Sequence, residues 1–191
     1  MVLRGLFGNN DKEPEEPVVE RPQAASIETE SIRRISAEIE ALPLEQRRFI
    51  AGFAYVLARA AHADLEVSET ESRYMEKAVT DVGHLSEAQS ALVVEMARNM
   101  NELYGATEDY VVTREFADIA TSEQREDALR MAFAIGAADD TITAEESAEL
   151  NQIGKELGFA SEEVDSIRYE FRDQLAAIQS MRRATGEASE A

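Results

Sequence analysis

The 191-residue chain contains no cysteine or tryptophan, only four prolines, and 19 basic residues against 39 acidic ones. Without cysteine there is no disulfide framework, thiolate metal site or cysteine nucleophile, which fits a cytoplasmic protein. No apolar run approaches the roughly 18 residues of a membrane-spanning helix, and no secretory signal pattern is present. The formal net charge of −20 would repel nucleic acid, so nucleic acid is excluded as a partner.

Residues 1–25 differ in composition from the rest of the chain. Four large apolar residues lie within Met1–Gly8, and the stretch after them is acidic and holds three of the four prolines. This composition predicts a disordered tail with an acidic linker, and residues 181–191 are predicted to form a disordered C-terminal tail. Alternatively, the apolar tip could dock on a protein partner, or bring the protein to the inner face of a membrane.

The residues between the tails have apolar side chains at helical spacing, and nothing alternates with a period of two. The fold class is therefore all-α, a compact bundle of seven to eight helices with a central, largely buried helix after Pro43. Gly105 is expected to break one helix, so that Tyr110–Ala120 forms a separate short one. Gly83 and Ser122 are expected to act as helix caps. One helix is expected from residue 161 to about residue 180.

A nine-residue acidic stretch occurs twice, at Ala63–Glu71 and again at Ala138–Glu146. The match continues downstream, where Gly83 in the first copy corresponds to Gly158 in the second. A self-match at fixed spacing predicts an internal repeat. The predicted domain, residues 26–180, is thus built from two helix–acidic loop–helix units, with repeat one at about 44–104 and repeat two at about 122–180.

Each loop offers side-chain oxygens at matching positions, counted from its first aspartate. These are Asp64, Glu66, Ser68 and Glu71 in the first loop, and Asp139, Thr141, Thr143 and Glu146 in the second. An apolar residue, Val67 or Ile142, is expected to pin each loop to the core. The spacing is similar to a calcium-binding EF-hand, but Glu69 and Ala144 replace the glycine that the EF-hand turn requires. These loops are not EF-hands.

Two interpretations of the loop acids stay open. Ser68 with Glu71, and Thr143 with Glu146, match capping boxes that need no ligand. Capping does not explain the aspartates, because a helix C-terminus disfavours negative charge. If the loops meet, they form a four-carboxylate site for a divalent cation, which could be calcium, magnesium, manganese or zinc. If they point apart, there are two weak sites or none. The four predicted ligands are Asp64, Glu71, Asp139 and Glu146.

No catalytic constellation accompanies these acids, so we expect a protein that is not an enzyme. There is no glycine-rich phosphate loop and no nucleophile elbow. His62 lies near the first loop, but its counterpart in the second copy is Ala137, which favours a structural role. The alternative is a hydrolase in which four clustered carboxylates hold two metal ions.

The repeated Ala-Asp-x-x-(Val/Ile)-(Ser/Thr)-x-x-Glu pattern, with Gly158-x-x-Ser161-Glu162-Glu163 after it, resembles the tellurite-resistance TerB-like family over residues 44–180. A related domain occurs in membrane-anchored J-domain co-chaperones. The resemblance implies an all-helical domain whose acidic loop residues, here Asp64, Glu71, Asp139 and Glu146, bind metal. It also implies a role in stress and tellurite resistance through protein partners, without catalysis.

One departure from the family pattern concerns the residue after each loop aspartate. The family usually has glycine there, whereas this chain has Leu65 and Asp140. Glycine allows a tight turn with positive φ, so its loss would change the loop and weaken a metal site. The alternative function is therefore a metal-independent adaptor that docks a partner through its surface or its N-terminal apolar tip.

Overall fold

The computed structural model describes residues 23–61 and 68–185, and these residues form eight α-helices. The described residues contain no β-strand, and a single bridge pairs Ile142 with Leu175. Among them, no helix is long and apolar enough to cross a membrane. The predicted all-α bundle is confirmed. Its helices are α1 Gln23–Glu40, α2 Leu44–Ala61, α3 Glu69–Gly83, α4 Glu87–Ile119, α5 Ser122–Gly136, α6 Ala144–Glu156, α7 Ser161–Glu170 and α8 Ala176–Thr185.

Helix α2 is the centre of the bundle, as its broad apolar face predicts. Every residue from Gly52 to Ala61 is buried, and the helix packs against α3, α4, α5 and α6. Its Phe53 lies 6.2 Å from Phe116 of α4, measured between ring centroids. Since burying one large apolar side chain contributes about 1.5–3 kcal/mol, the buried face of α2 contributes substantially to the stability of the core.

Helix α4 runs unbroken for 33 residues through Gly105, so the predicted break and the separate helix Tyr110–Ala120 are wrong. One helical glycine costs only about 1 kcal/mol relative to alanine. Buried contacts on both sides of the glycine outweigh that cost, with Val94 and Ala97 before it and Phe116 after it. Packing against α2 along this length therefore keeps the helix continuous.

The single helix predicted from residue 161 to about residue 180 is also wrong, because α7 and α8 are separated by a turn at residues 171–174. The intervening backbone pairs with the second acidic loop. Ile142 N donates to Gln174 O at 2.7 Å, and Ala176 N donates to Ile142 O at 2.9 Å. Phe171 stacks on Phe133 at 5.7 Å between centroids, which holds the turn against the core.

Two cap predictions are each displaced by one residue. The left-handed residue that ends α3 is His84, with φ of 53°, and Gly83 is the last helical residue. A Cβ on Gly83 would lie 3.3 Å from both Ile50 and Leu85, so the glycine serves close packing. At α5 the cap is Thr121, not Ser122, because a side chain must precede the first turn to reach its N–H groups.

The other predictions of chain organisation concern the domain limits, the two tails and the internal repeat. Helix α1 begins at Gln23 and α8 ends at Thr185, slightly outside the predicted domain limits of 26 and 180. The apolar tip and nearly all of the acidic linker fall within residues 1–22, outside the described residues. Division of the chain into two repeats stays a prediction.

Candidate functional site

Both predicted capping boxes at the loops are confirmed. Ser68 N donates to Glu71 Oε2 at 2.7 Å, and Glu71 N donates to Ser68 Oγ at 3.1 Å. At the second loop, Thr143 N donates to Glu146 Oε2 at 2.6 Å, and Glu146 N donates to Thr143 Oγ1 at 3.2 Å. The two loops therefore start α3 and α6 with the same hydrogen-bond pattern.

The two capping glutamates are buried, which is unusual for first-turn acids. Glu71 is 5% exposed and Glu146 is 4% exposed. Each holds a helix start with its Oε2 atom. A Cβ on Gly136 of α5 would lie 3.9 Å from Glu146 Oε1, so the second oxygen of this carboxylate lies against the end of the preceding helix. Burial of a carboxylate is costly unless hydrogen bonds or charges compensate it.

Electrostatics link the first box to the second loop. Burial raises the pKa of the Glu71 carboxyl, hydrogen bonds from Ser68 oppose that rise, and repulsion from Glu146 and Asp139 adds to it. The charges of Glu146 and Asp139 therefore act on Glu71, although these residues are about 70 positions apart in the sequence. Asp139 itself is exposed.

The fourth predicted ligand, Asp64, lies outside the described residues, as do His62, Leu65, Glu66 and Val67. Within residues 23–61 and 68–185, no group of three acidic or histidine side chains could hold a metal ion by itself. The four-carboxylate site, and any ligand role for Asp64, accordingly stay predictions.

The second loop shows how the chain accommodates a residue other than glycine after the loop aspartate. Asp140 adopts φ of 63°, the left-handed conformation that glycine would favour and that aspartate tolerates better than most residues. Gln179 Nε2 of α8 donates to Asp140 O at 2.8 Å, which fastens the turn. Ile142, 1% exposed, pins the loop to the core as predicted. The tight turn is thus retained without glycine.

A second group of acids, buried or partly buried, surrounds Arg59 of α2, and the sequence patterns did not predict it. Arg59 is 4% exposed. Its Nε binds Glu149 and its Nη1 binds Glu156, both from α6. Nη1 also donates to Thr113 Oγ1 of α4 at 3.0 Å. A charged residue inside the apolar run of α2 is the one sequence signal that could have pointed to this network.

Asp109 of α4 is the third acid of this group, 3.8 Å from Arg59. Its Oδ1 accepts hydrogen bonds from Tyr55 and Asn101, each at 3.0 Å. Burial raises the pKa of Asp109 and the Arg59 guanidinium opposes that rise. Burial and the neighbouring Asp109 charge raise the pKa of Tyr55 to about 12. The network joins α2, α4 and α6 through charge-assisted hydrogen bonds.

The family comparison matches the part of the chain that holds both groups of acids. The model of the family described as "Tellurite resistance protein TerB" matches residues 50–169, which extend from α2 into α7. The matched range includes Glu71, Asp139 and Glu146 as well as the Arg59 network. No curated protein and no solved structure gives a significant match to the chain.

Proposed function

We propose that this chain, which belongs to the tellurite resistance protein TerB family, is a non-enzymatic stress-response domain that binds a divalent cation between its two acidic loops. The cation would fix the relative position of the loops, and the domain would act through a protein partner, as its resemblance to the family implies. The effect of Glu146 and Asp139 on Glu71 supports the proposal, since charges of the second loop raise the pKa of an acid of the first.

The chemistry of these acids favours a hard cation. Glu71 is buried and shows no salt bridge to any lysine or arginine of the described residues. Its repulsion from two other acids would be relieved by a divalent ion, which prefers several carboxylate oxygens at once. Asp64 follows α2 in the sequence and would complete the four-carboxylate set with Glu71, Asp139 and Glu146.

A thermal melt after chelation tests the cation, with calcium, magnesium, manganese and zinc added separately. A cation at a hundred times its dissociation constant should stabilise the fold by about 2.7 kcal/mol. Asp64→Asn and Asp139→Asn should abolish the shift. Sodium at matched ionic strength is the control, because screening also stabilises a chain with net charge −20. A shift no larger than that of sodium would contradict the proposal.

The non-catalytic part of the proposal has its own test. If the acids instead held two metal ions as a hydrolase site, the manganese-loaded protein would cleave phosphoesters. We expect no turnover on a panel of phosphomonoesters and phosphodiesters at any protein concentration. Turnover that disappears in Asp139→Asn would replace the present proposal with the enzyme.

A metal-independent adaptor is the second candidate, and an exposed apolar row on α4 favours it. Met96, Met100 and Leu103 are 57%, 45% and 70% exposed and follow one another on one helix face. Contiguous apolar surface of this kind often marks an interaction site. In the adaptor case, partner capture would survive chelation and would be lost in Leu103→Asp, but not in the equally exposed control Tyr169→Asp.

A further inference from the structure

An apolar groove lies between α1, α2 and α4, and one of its lining residues is Tyr55, whose hydroxyl donates to Asp109 of the Arg59 network. It is lined by Ile39 of α1, Ile50 of α2, and Val93, Met96 and Met100 of α4, with Arg47 at its wall. Its volume is about 190 Å³. A cavity of about 150 Å³ is large enough to admit a benzene ring, so this groove has room for one aromatic side chain.

The groove opens onto the exposed row of α4. Met96 and Met100 belong to both, and Leu103 extends the row by one further turn. An occupant with one aromatic ring and several aliphatic side chains would therefore fill the groove and cover the row together. Such burial contributes roughly 25 cal/mol for each square ångström of apolar surface removed from water.

We propose that the chain's own N-terminal tip, Met1–Gly8, occupies this groove, with the Phe7 ring inside it and Val2, Leu3 and Leu6 against the α4 row. The tip has one aromatic and three aliphatic side chains, which is the combination that the surface fits. This inference does not depend on the cation site.

The length of the intervening chain permits the contact. Fourteen residues, 9–22, separate the tip from the start of α1 at Gln23. Fully extended, they span at most about 46–50 Å. From Gln23 to Ile39 at the groove is 16 residues along α1, or about 24 Å at the helical rise. The tip can therefore fold back along α1 and reach the groove.

Charge favours the tip over a second copy of the chain. The tip contains Arg4 and no acidic residue, whereas the whole chain carries −20. Two copies in contact would repel each other, while the tip is attracted to the acidic body. Tethering adds to this preference, because a short linker gives an effective concentration in the millimolar range.

Paramagnetic relaxation enhancement tests the contact between the tip and the groove. Because the chain has no cysteine, a single introduced cysteine is the only site that the nitroxide can label. A nitroxide on Asn9→Cys of the full chain would sit next to the tip, and methyl-labelled methionines would report its position. We expect loss of the Met96 and Met100 methyl signals, while Met131 and Met181, which do not line the groove, keep theirs.

Two variants and one control make the test specific. Phe7→Asp and Met96→Asp should each restore the Met100 signal, whereas Tyr169→Asp, which changes an apolar residue 65% exposed elsewhere, should not. A vacant groove, seen as no selective loss at Met96 and Met100, would overturn the inference and leave the surface for a partner. Loss in a mixture of nitroxide-labelled chains and separate methyl-labelled chains would also overturn it, because a second copy would then be the occupant.

Discussion

Buried and partly buried carboxylates gather at two places among the described residues, and each place neutralises their charge differently. Around Arg59, three acids from α4 and α6 meet one buried guanidinium. At the loops, Glu71 and Glu146 are as buried as Glu156 of the first group, but backbone N–H groups at the starts of α3 and α6 hold them. In the first group, the neutralising cation is the Arg59 guanidinium of α2.

The difference separates a structural role from a ligand-dependent one. A guanidinium carries a full charge and forks to several carboxylates, so the Arg59 network is complete within the fold. A helix N-terminus supplies only about half an elementary charge, and repulsion from Glu146 and Asp139 still raises the pKa of Glu71. We therefore expect the Arg59 network to govern stability under all conditions, and the loop acids to respond to added cations.

The largest expected effect comes from removing the internal cation. Arg59→Met keeps the length of the side chain but leaves the buried Glu156 and the partly buried Asp109 and Glu149 without their partner, which should lower the free energy of unfolding by about 3–5 kcal/mol. Arg48→Met is the matched control, because Arg48 lies on the same helix and pairs with Glu115 at the surface. That change should cost about 0–1 kcal/mol. Urea unfolding measures both free energies. Equal losses would mean that the Arg59 network stabilises the fold no more than a surface ion pair does.

Loss of a loop cap should have an intermediate effect. Thr143→Ala removes the hydroxyl that accepts from Glu146 N and should cost about 1 kcal/mol in chelator. Ser86→Ala removes the equivalent hydroxyl from α4, away from the loops, and should cost a similar amount. Only Thr143→Ala should also reduce the stabilisation gained from added cation. If both variants respond to cation alike, the loop caps are ordinary caps.

The smallest expected effect is a pH dependence that belongs to Glu71. Because its pKa in the folded state lies above the ordinary value of 4.5, the folded protein binds more protons between those two values. The contribution of Glu71 to the free energy of unfolding is therefore fully present below pH 4.5. It is lost as the pH rises through the folded-state pKa. In chelator, Glu71→Gln should therefore be more stable than the unchanged protein at pH 7, with the difference vanishing on acidification.

Urea unfolding from pH 7 to pH 4 checks this, and Glu145→Gln is the control. Glu145 is an exposed first-turn acid of α6, so its loss removes the same charge without burial. A constant difference between Glu71→Gln and the unchanged protein across this range would contradict a raised pKa of Glu71.

Local patterns in the sequence were enough to predict the fold class and part of the site. Helical spacing gave the buried face of α2, and the boxes at Ser68 and Thr143 follow from side-chain reach over three residues. The sequence left open whether the two loops meet; in the structure, repulsion from Glu146 and Asp139 raises the pKa of Glu71.

Features that depend on distant contacts could not be predicted. The partners of Arg59 lie 50 to 97 residues away in the chain, so nothing local to α2 identifies them. The turn between α7 and α8 forms because its backbone pairs with Ile142, a contact that helical spacing does not report. The helix break predicted at Gly105 was wrong because the weak preference of glycine against helix is outweighed by packing along α4.

Isothermal titration calorimetry of the chelated protein tests the central claim that the two loops form one cation site. Glu71→Gln and Glu146→Gln are suitable variants, because glutamine already fills the same capping position at Gln89 and Gln124 in this chain. We expect one divalent cation per chain, with either substitution alone weakening its binding. Two cations per chain, each lost with one substitution, would mean separate loops, and no uptake of any cation would contradict the account.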